Sequence, residues 1–303
     1  MAKRSLRVIL NGKKADLPAV RRAIGSVRDD GHRVDVRVTW EGGDAARFAA
    51  EALDDDVDVI VAAGGDGTVN EVVNGIFQVT ENPKPAMGVM PLGSANDFSR
   101  GCGIAAGNPT RALRFAATGK AHPIDVARLN DGYFINSAVI GFGAEVTFRT
   151  SERMKKTIHG AAYGITGFLT ALKGTVYSGI VKTPEETRKG STLFAALSNG
   201  VQAGGFQLAP RAKLDDGLLD LFSVPNFGME QIPVIMRDLR GLKRGVEPKF
   251  IRYEQLEWLE VTADREIPIS PDGEILQVKK FRAEALKRRL RFVLPEGPLL
   301  STK

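Results

Sequence analysis

Residues 57–78 limit the fold more than any other segment. Val57 to Ala63 is a short apolar run of strand type. It is followed by the glycine-dense turn Gly64-Gly65-Asp66-Gly67-Thr68, and Thr68 to Gln78 then carries Val69, Val72, Val73 and Ile76 on one helical face. A core strand that turns through glycines directly into a helix is the building unit of a parallel sheet covered by helices. The same alternation surrounds it. Leu6–Leu10, Val34–Val38 and Met87–Met90 predict further strands, and Leu17–Asp30 and Asp44–Leu53 predict helices, the first stopped by Gly31.

Near residue 122 the rhythm changes. Ile124–Leu129, Tyr133–Ile140, Leu193–Asn199, Leu218–Val224, Leu256–Thr262, Glu274–Val278 and Leu290–Leu294 predict closely spaced strands separated by turn signals such as Asn130-Asp131-Gly132 and Asp215-Asp216-Gly217. That pattern reads as a mainly antiparallel β-sandwich or barrel with helical insertions at about 151–176 and 228–244. The 303 residues divide into an α/β domain over 1–125 and a β-rich domain over 126–294, with a soft boundary near 120–130. The tail, 295–303, is expected to return to the first domain.

Hydrophobic content of 43% with 26% charged residues excludes a disordered chain. The one cysteine, Cys102, permits no internal disulfide, which fits a reducing cytoplasm. His32, His122 and His159 lie far apart, against a zinc site. The uncharged stretch Thr157–Leu172 holds a histidine, three threonines and three glycines. A spanning helix needs about 20 mostly apolar residues, so the chain is expected to be soluble or peripheral to a membrane. Lys and Arg exceed Asp and Glu by 42 − 36 = 6, a surplus that suits an anionic partner.

The chemistry concentrates in two turns that follow parallel strands. At Gly64–Asn70, glycines let the backbone approach a polyanion, the helix start supplies free N–H groups, and Thr68 and Asn70 add side-chain hydrogen bonds. Asp66 fits beside phosphates only with a cation or ordered water between. The second turn, Pro91-Leu92-Gly93-Ser94-Ala95-Asn96-Asp97-Phe98, falls at the same edge of the sheet. No P-loop signature occurs, and Gly101-Cys102-Gly103-Ile104-Ala105-Ala106 follows no strand, so it reads as a loop rather than a dinucleotide fingerprint.

These two motifs, with Gly204-Gly205-Phe206-Gln207-Leu208-Ala209-Pro210, Asp215-Asp216-Gly217-Leu218-Leu219-Asp220 and Asp272-Gly273-Glu274, resemble the diacylglycerol kinase catalytic family. Ile9-Leu10-Asn11-Gly12-Lys13 and Arg37-Val38-Thr39-Trp40-Glu41-Gly42-Gly43-Asp44-Ala45 resemble the bacterial YegS lipid kinases in particular. The resemblance implies a doubly wound α/β domain of NAD kinase and phosphofructokinase type, a β-sandwich domain, and a site in the cleft between them. It implies ATP- and Mg²⁺-dependent phosphorylation of a lipid hydroxyl. Carried over by position, it implies that Thr39, Gly64, Gly65, Asp66, Gly67, Thr68, Val69, Asn70 and Ser94 contact ATP, with Asn96 and Asp97 beside them. Ser94 stands where the family often has Thr, and it keeps the hydroxyl. Glu274 is implied as the general base with Asp66 as a second catalytic carboxylate, and Lys213, Asp216 and Leu218 as Mg²⁺ ligands, the lysine and leucine through their carbonyls. Read without the family, Asp272-Gly273 and Asp216-Gly217 are plain turns. Asp125 is a further candidate for a water-and-magnesium network or a salt-bridged structural aspartate.

Two basic groups, Lys279–Arg291 and Arg237–Arg252, suit either a solvated face or an anionic bilayer. With few aromatics among them, nucleic acid is not the expected partner. The expectation is a cytoplasmic lipid kinase, peripheral to the inner face of the membrane, acting on phosphatidylglycerol or diacylglycerol. The rival readings are a soluble NAD kinase-type phosphotransferase and a non-catalytic protein that binds nucleotide or membrane.

Overall fold

A computed structural model describes residues 3–104, 106–141, 176–203 and 206–301. The expected helical insertion at 151–176 lies outside these residues except for Val176, and Gly204-Gly205 also lies outside them.

The first half runs β1 (Ser5–Leu10), α1 (Pro18–Asp29), β2 (Arg33–Val38), α2 (Asp44–Asp54), β3 (Val59–Gly64), α3 (Asp66–Phe77), β4 (Ala86–Pro91), α4 (Asp97–Gly101) and α5 (Pro109–Thr118). The strands are parallel in the order β2-β1-β3-β4. Every residue of β3 and β4 is buried, as their unbroken apolar sequences require of strands covered on both faces. Helix α3 begins two residues before the predicted Thr68, because Gly65 takes the extended N-cap conformation and Asp66 opens the first turn. The apolar periodicity does not predict helix α5. Its start is signalled by Asn108, whose side chain accepts the N–H of Arg111 at 2.9 Å, and by Pro109.

The chain continues through β5 (Ala121–Leu129), β6 (Gly132–Phe134), β7 (Ser137–Gly141), β8 (Tyr177–Lys182), β9 (Thr187–Thr192), β10 (Phe194–Ser198), the short pair β11 (Gln202–Ala203) and β12 (Phe206–Gln207), and β13 (Leu219–Val224). It ends with α6 (Ile232–Leu242), β14 (Arg252–Leu256), β15 (Trp258–Pro271) and β16 (Leu276–Val293). The predicted strand Tyr133–Ile140 is broken at Ile135 and Asn136, whose N–H groups donate to a side chain, Asp272, instead of to a ladder. The predicted strands Glu274–Val278 and Leu290–Leu294 are joined in the 18-residue β16. Its many charges mask the alternation, but pairing with both β15 and β5 keeps it extended. The register shifts between Leu286 and Leu290, where Arg288 has φ 54°.

The two halves share one sheet. Strand β16 lies between β15 and β4, meeting β4 at Phe292–Met87. Phe98 of α4 packs edge-on against Phe292, with ring centroids 5.2 Å apart. Leu299 and Leu300 of the tail pack against the core that contains Ile60, Val72 and Phe292.

Candidate active site

Parallel pairing puts the ends of β1, β2, β3 and β4 at one edge, and the loops there are built by close backbone approach. A Cβ on Gly93 would stand 2.5 Å from the Cα of Gly65, and one on Gly12 would stand 2.1 Å from the carbonyl oxygen of Thr39. Only glycine permits either contact. Leu92 N–H donates to the Gly64 carbonyl at 2.8 Å, which locks the second turn onto the first. Val69 N–H reaches back to the Gly65 carbonyl. The amides before it open α3 without an intrahelical partner, with the positive end of the helix dipole behind them.

The site residues divide into those with free reach and those that shape the loops. Asp66 accepts the N–H of Phe98 at 3.3 Å. Thr68 is buried and accepts from Asn11 Nδ2 at 3.2 Å. Thr39 accepts the N–H of Gly12 through its hydroxyl at 3.1 Å. Val69 is buried core. Asn96 is buried with φ 50°, and its amide both accepts from Gly93 N–H and donates to the Gly93 carbonyl. Asn96 therefore contributes the shape of the turn. Asp97 is buried at the start of α4, while Ser94 is exposed in the turn.

Asn70, one helical turn or about 6 Å beyond Asp66, is the point where the halves meet. Its Nδ2 donates to the carbonyl of Tyr133 at 3.1 Å and to Asp272 Oδ2 at 3.2 Å. Asp272, at φ 45°, also accepts the N–H groups of Ile135, Asn136 and Ser137 at 2.8–3.1 Å. Desolvation pushes its carboxyl up to about 6 against these four donors. The turn that follows carries Gly273 at φ 101° and Glu274, whose N–H donates to the Pro271 carbonyl. Glu274 is exposed and lines a cavity of about 330 Å³ with Asn70, Asn74, Asn130 and Tyr133. The structure thus brings Glu274 to the first turns of α3.

The 213–218 loop stands apart from this pair. Among the described residues no hydrogen bond joins it to Gly64–Asn70, and the connection runs through Asn199, which donates to the carbonyls of Asp125 and Ile135 at 3.2 and 2.8 Å. The Asp216 side chain accepts the N–H of Leu218 at 3.0 Å, and burial raises its pKa, with Asp215 adding to the rise. The Lys213 ammonium donates to the Pro298 carbonyl. Asp125 is fully buried and, among the described residues, forms no salt bridge. Its two oxygens take the N–H groups of Gly217 at 2.6 Å and Arg288 at 2.7 Å, and burial raises it to about 6. Asp125 is therefore a pin made of main-chain hydrogen bonds, which the sequence left undecided.

The donor set fits a hard cation. No three acidic, histidine or cysteine side chains converge on one metal position among the described residues. An ion here would rest on Asp216 with main-chain carbonyls, oxygen ligands of the kind Mg²⁺ accepts. The nearby Asn199 Oδ1 is buried without a partner, an acceptor suited to a water in such a shell.

Asp272 and Asn199 were missed as organising residues. Their partners are distant in sequence, and the one local signal was Asp before Gly in Asp272-Gly273. The basic groups also separate in space. Along β16, Lys280 pairs with Glu260, Arg282 with Glu284 and Arg288 with Asp215. At the end of α6, Arg240, Lys243 and Arg244 are exposed beside Val246. No helix among the described residues is long and apolar enough to cross a membrane.

A glycine-built anion edge facing a carboxylate turn across a shared sheet is the geometry of a phosphotransferase. The diacylglycerol kinase catalytic domain profile matches residues 5–129, and the YegS C-terminal NAD kinase beta sandwich-like domain profile matches residues 136–294. A probable lipid kinase YegS-like protein of Chromohalobacter salexigens is 43% identical over 295 residues, covering 97% of this chain and 94% of the relative. Another of the same description, from Shewanella frigidimarina, is 41% identical and covers 96% and 94%. The crystal structure of a putative diacylglycerol kinase from Bacillus anthracis superposes with TM-score 0.81 at 25% identity, covering 97% of each chain. The chain belongs to the diacylglycerol kinase catalytic family, among its YegS-like lipid kinases.

Proposed function

We propose that this lipid kinase transfers the γ-phosphoryl group of ATP, in the presence of Mg²⁺, to a hydroxyl of a glycerolipid, phosphatidylglycerol first and diacylglycerol next. The observation that carries the reading is the link Asn70–Asp272, which sets the Glu274 turn against the helix that opens with Gly65-Asp66-Gly67-Thr68. In this reading the first amides of α3 hold the phosphates, with Thr39 and Ser94 along the same edge. Glu274 takes the proton of the lipid hydroxyl as the new O–P bond forms. Asp66 orients water or a cation beside the phosphates. Lys213, Asp216 and Leu218 would hold Mg²⁺ in the second loop. The cation supplies neutralisation of charge that the transferring phosphoryl group and the buried carboxylates otherwise leave uncompensated.

The substrate sits in a bilayer, so the enzyme must meet one. Arg240, Lys243 and Arg244 at the end of α6 are the contact favoured here, because they are exposed together beside Val246, whereas Lys280, Arg282 and Arg288 of β16 are paired within the protein. The test is transfer from labelled ATP into a total lipid extract, with the product identified by mass spectrometry. Label in a phosphorylated glycerolipid supports the reading. Label in NAD alone, or in no lipid, overturns it.

A further inference from the structure

Trp40 is 95% exposed, yet its backbone is held by hydrogen bonds on both sides. Thr39 N–H donates to the Leu10 carbonyl, and the Thr39 hydroxyl takes the N–H of Gly12. The N–H groups of Trp40 and Glu41 both donate to Asp44 Oδ2, at 2.8 and 3.1 Å. Asp44 is itself buried and paired with Arg47 at 2.6 Å. Gly43 N–H, three residues on, donates to Glu71 of α3 at 3.3 Å. A rigid backbone that presents a large aromatic ring wholly to solvent is a preorganised platform without its cover. Trp offers wide contact area at low entropic cost.

The register says what lies beside it. Leu10 pairs with Val38 on one side and Ala63 on the other, so Gly64, Asn11 and Thr39 stand in one row at the carboxyl edge. Trp40 follows that row two strand spacings, about 9.5 Å, from the phosphate-binding turn. Glu274 approaches α3 from the opposite side, through β15, β16 and β4. A nucleoside triphosphate whose terminal phosphoryl faces Glu274 must therefore run from Gly64–Thr68 across the end of β1 toward β2. Its base then falls where Trp40 stands.

We propose that Trp40 is the stacking platform for the nucleotide base, and so a nucleotide-positioning residue of this kinase. The inference rests on the ATP reading above, and the experiment separates the two. Trp40 and Trp258 are the only tryptophans, and Trp258 lies against Arg282 on β15. In the Trp258→Phe protein, Trp40 alone emits. Titration with ATP is expected to quench that emission saturably. By calorimetry, Trp40→Ala is expected to weaken ATP binding about tenfold, the scale of losing one base–aromatic stack. Trp40→Phe, which keeps a ring, recovers most of it, and the kinetic loss falls on the KM for ATP rather than on kcat. If wild type binds ATP but Trp40→Ala binds it equally well, the inference fails and the ATP reading stands. Emission that ignores saturating ATP yet shifts to the blue on phosphatidylglycerol vesicles also overturns it, and assigns Trp40 to the bilayer. If wild type binds no ATP, both fall.

Discussion

At the carboxyl edge of β3 the chain gathers main-chain N–H groups, and at the 213–218 loop it gathers carboxylates. In the proposed function the first region needs no basic side chain to receive an anion, because close backbone approach at Gly12, Gly65 and Gly93 and the dipole of α3 supply the donors. The second region concentrates Asp125, Asp216 and Asp220, all with raised pKa because burial penalises their charge. In the proposed function, the contrast lets one sheet serve opposite ligands. Its parallel half ends in donors and its antiparallel half in acceptors; Asn70–Asp272 ties α3 to the Glu274 turn, while Asn199 makes the connection to the 213–218 loop.

The strongest way to break this comparison is Glu274→Gln. Removing a positioned general base costs about 10²–10⁴ in rate, and kcat should fall by that much while calorimetry shows unchanged ATP affinity. Asp272→Ala comes next. It strands buried N–H groups of Ile135, Asn136 and Ser137, so denaturant unfolding should show a loss of about 2–4 kcal/mol.

The same residue predicts a pH effect. Its folded pKa, about 6, lies above the ordinary aspartate value. Its contribution to stability is therefore fully present below the unfolded value, near pH 4, and is lost as pH rises through about 6. Activity should move the other way, because the ionised carboxylate holds the Glu274 turn. A pH–rate profile should fall to about a tenth one unit below that pKa, and this limb should be missing in Asp272→Asn.

Smaller changes sharpen the contrast. Gly93→Ala forces the two phosphate-edge loops apart and should weaken ATP binding about tenfold, a mid-range overpacking cost. Gly67→Ala, with nothing within 4 Å of the added Cβ, should leave the melting temperature unchanged. At the far surface, each of Arg240, Lys243 and Arg244 changed to Ala should weaken binding to anionic vesicles about fivefold. Turnover of a short-chain dispersed lipid should stay level.

Much of the parallel half was legible because its signals are local. Val59–Gly64 is apolar throughout and is followed at once by glycines, and α1, α2 and α3 keep their apolar positions three and four residues apart. The β-rich half hides its order. Strand β16 is sprinkled with Lys and Arg, and the partners of Lys280 and Arg288, Glu260 and Asp215, cannot be matched to them by spacing. The glycine-built turn at the edge of β3 could be read from Gly64–Asn70 alone. The hinge of the site could not, since Asn70 and Asp272 are 202 residues apart. Nor could the pin at Asp125, whose partners Gly217 and Arg288 are backbone amides that carry no side-chain signature.

The central claim is that both halves act on one transferred phosphoryl group. Single-turnover transfer of labelled γ-phosphate from ATP to phosphatidylglycerol or diacylglycerol, compared between wild type and Glu274→Gln, tests it most directly. The account predicts labelled lipid with wild type and a loss of at least about a hundredfold in the variant, with ATP bound equally by both. Equal transfer by the two proteins, or transfer to no lipid by the wild type, would contradict it.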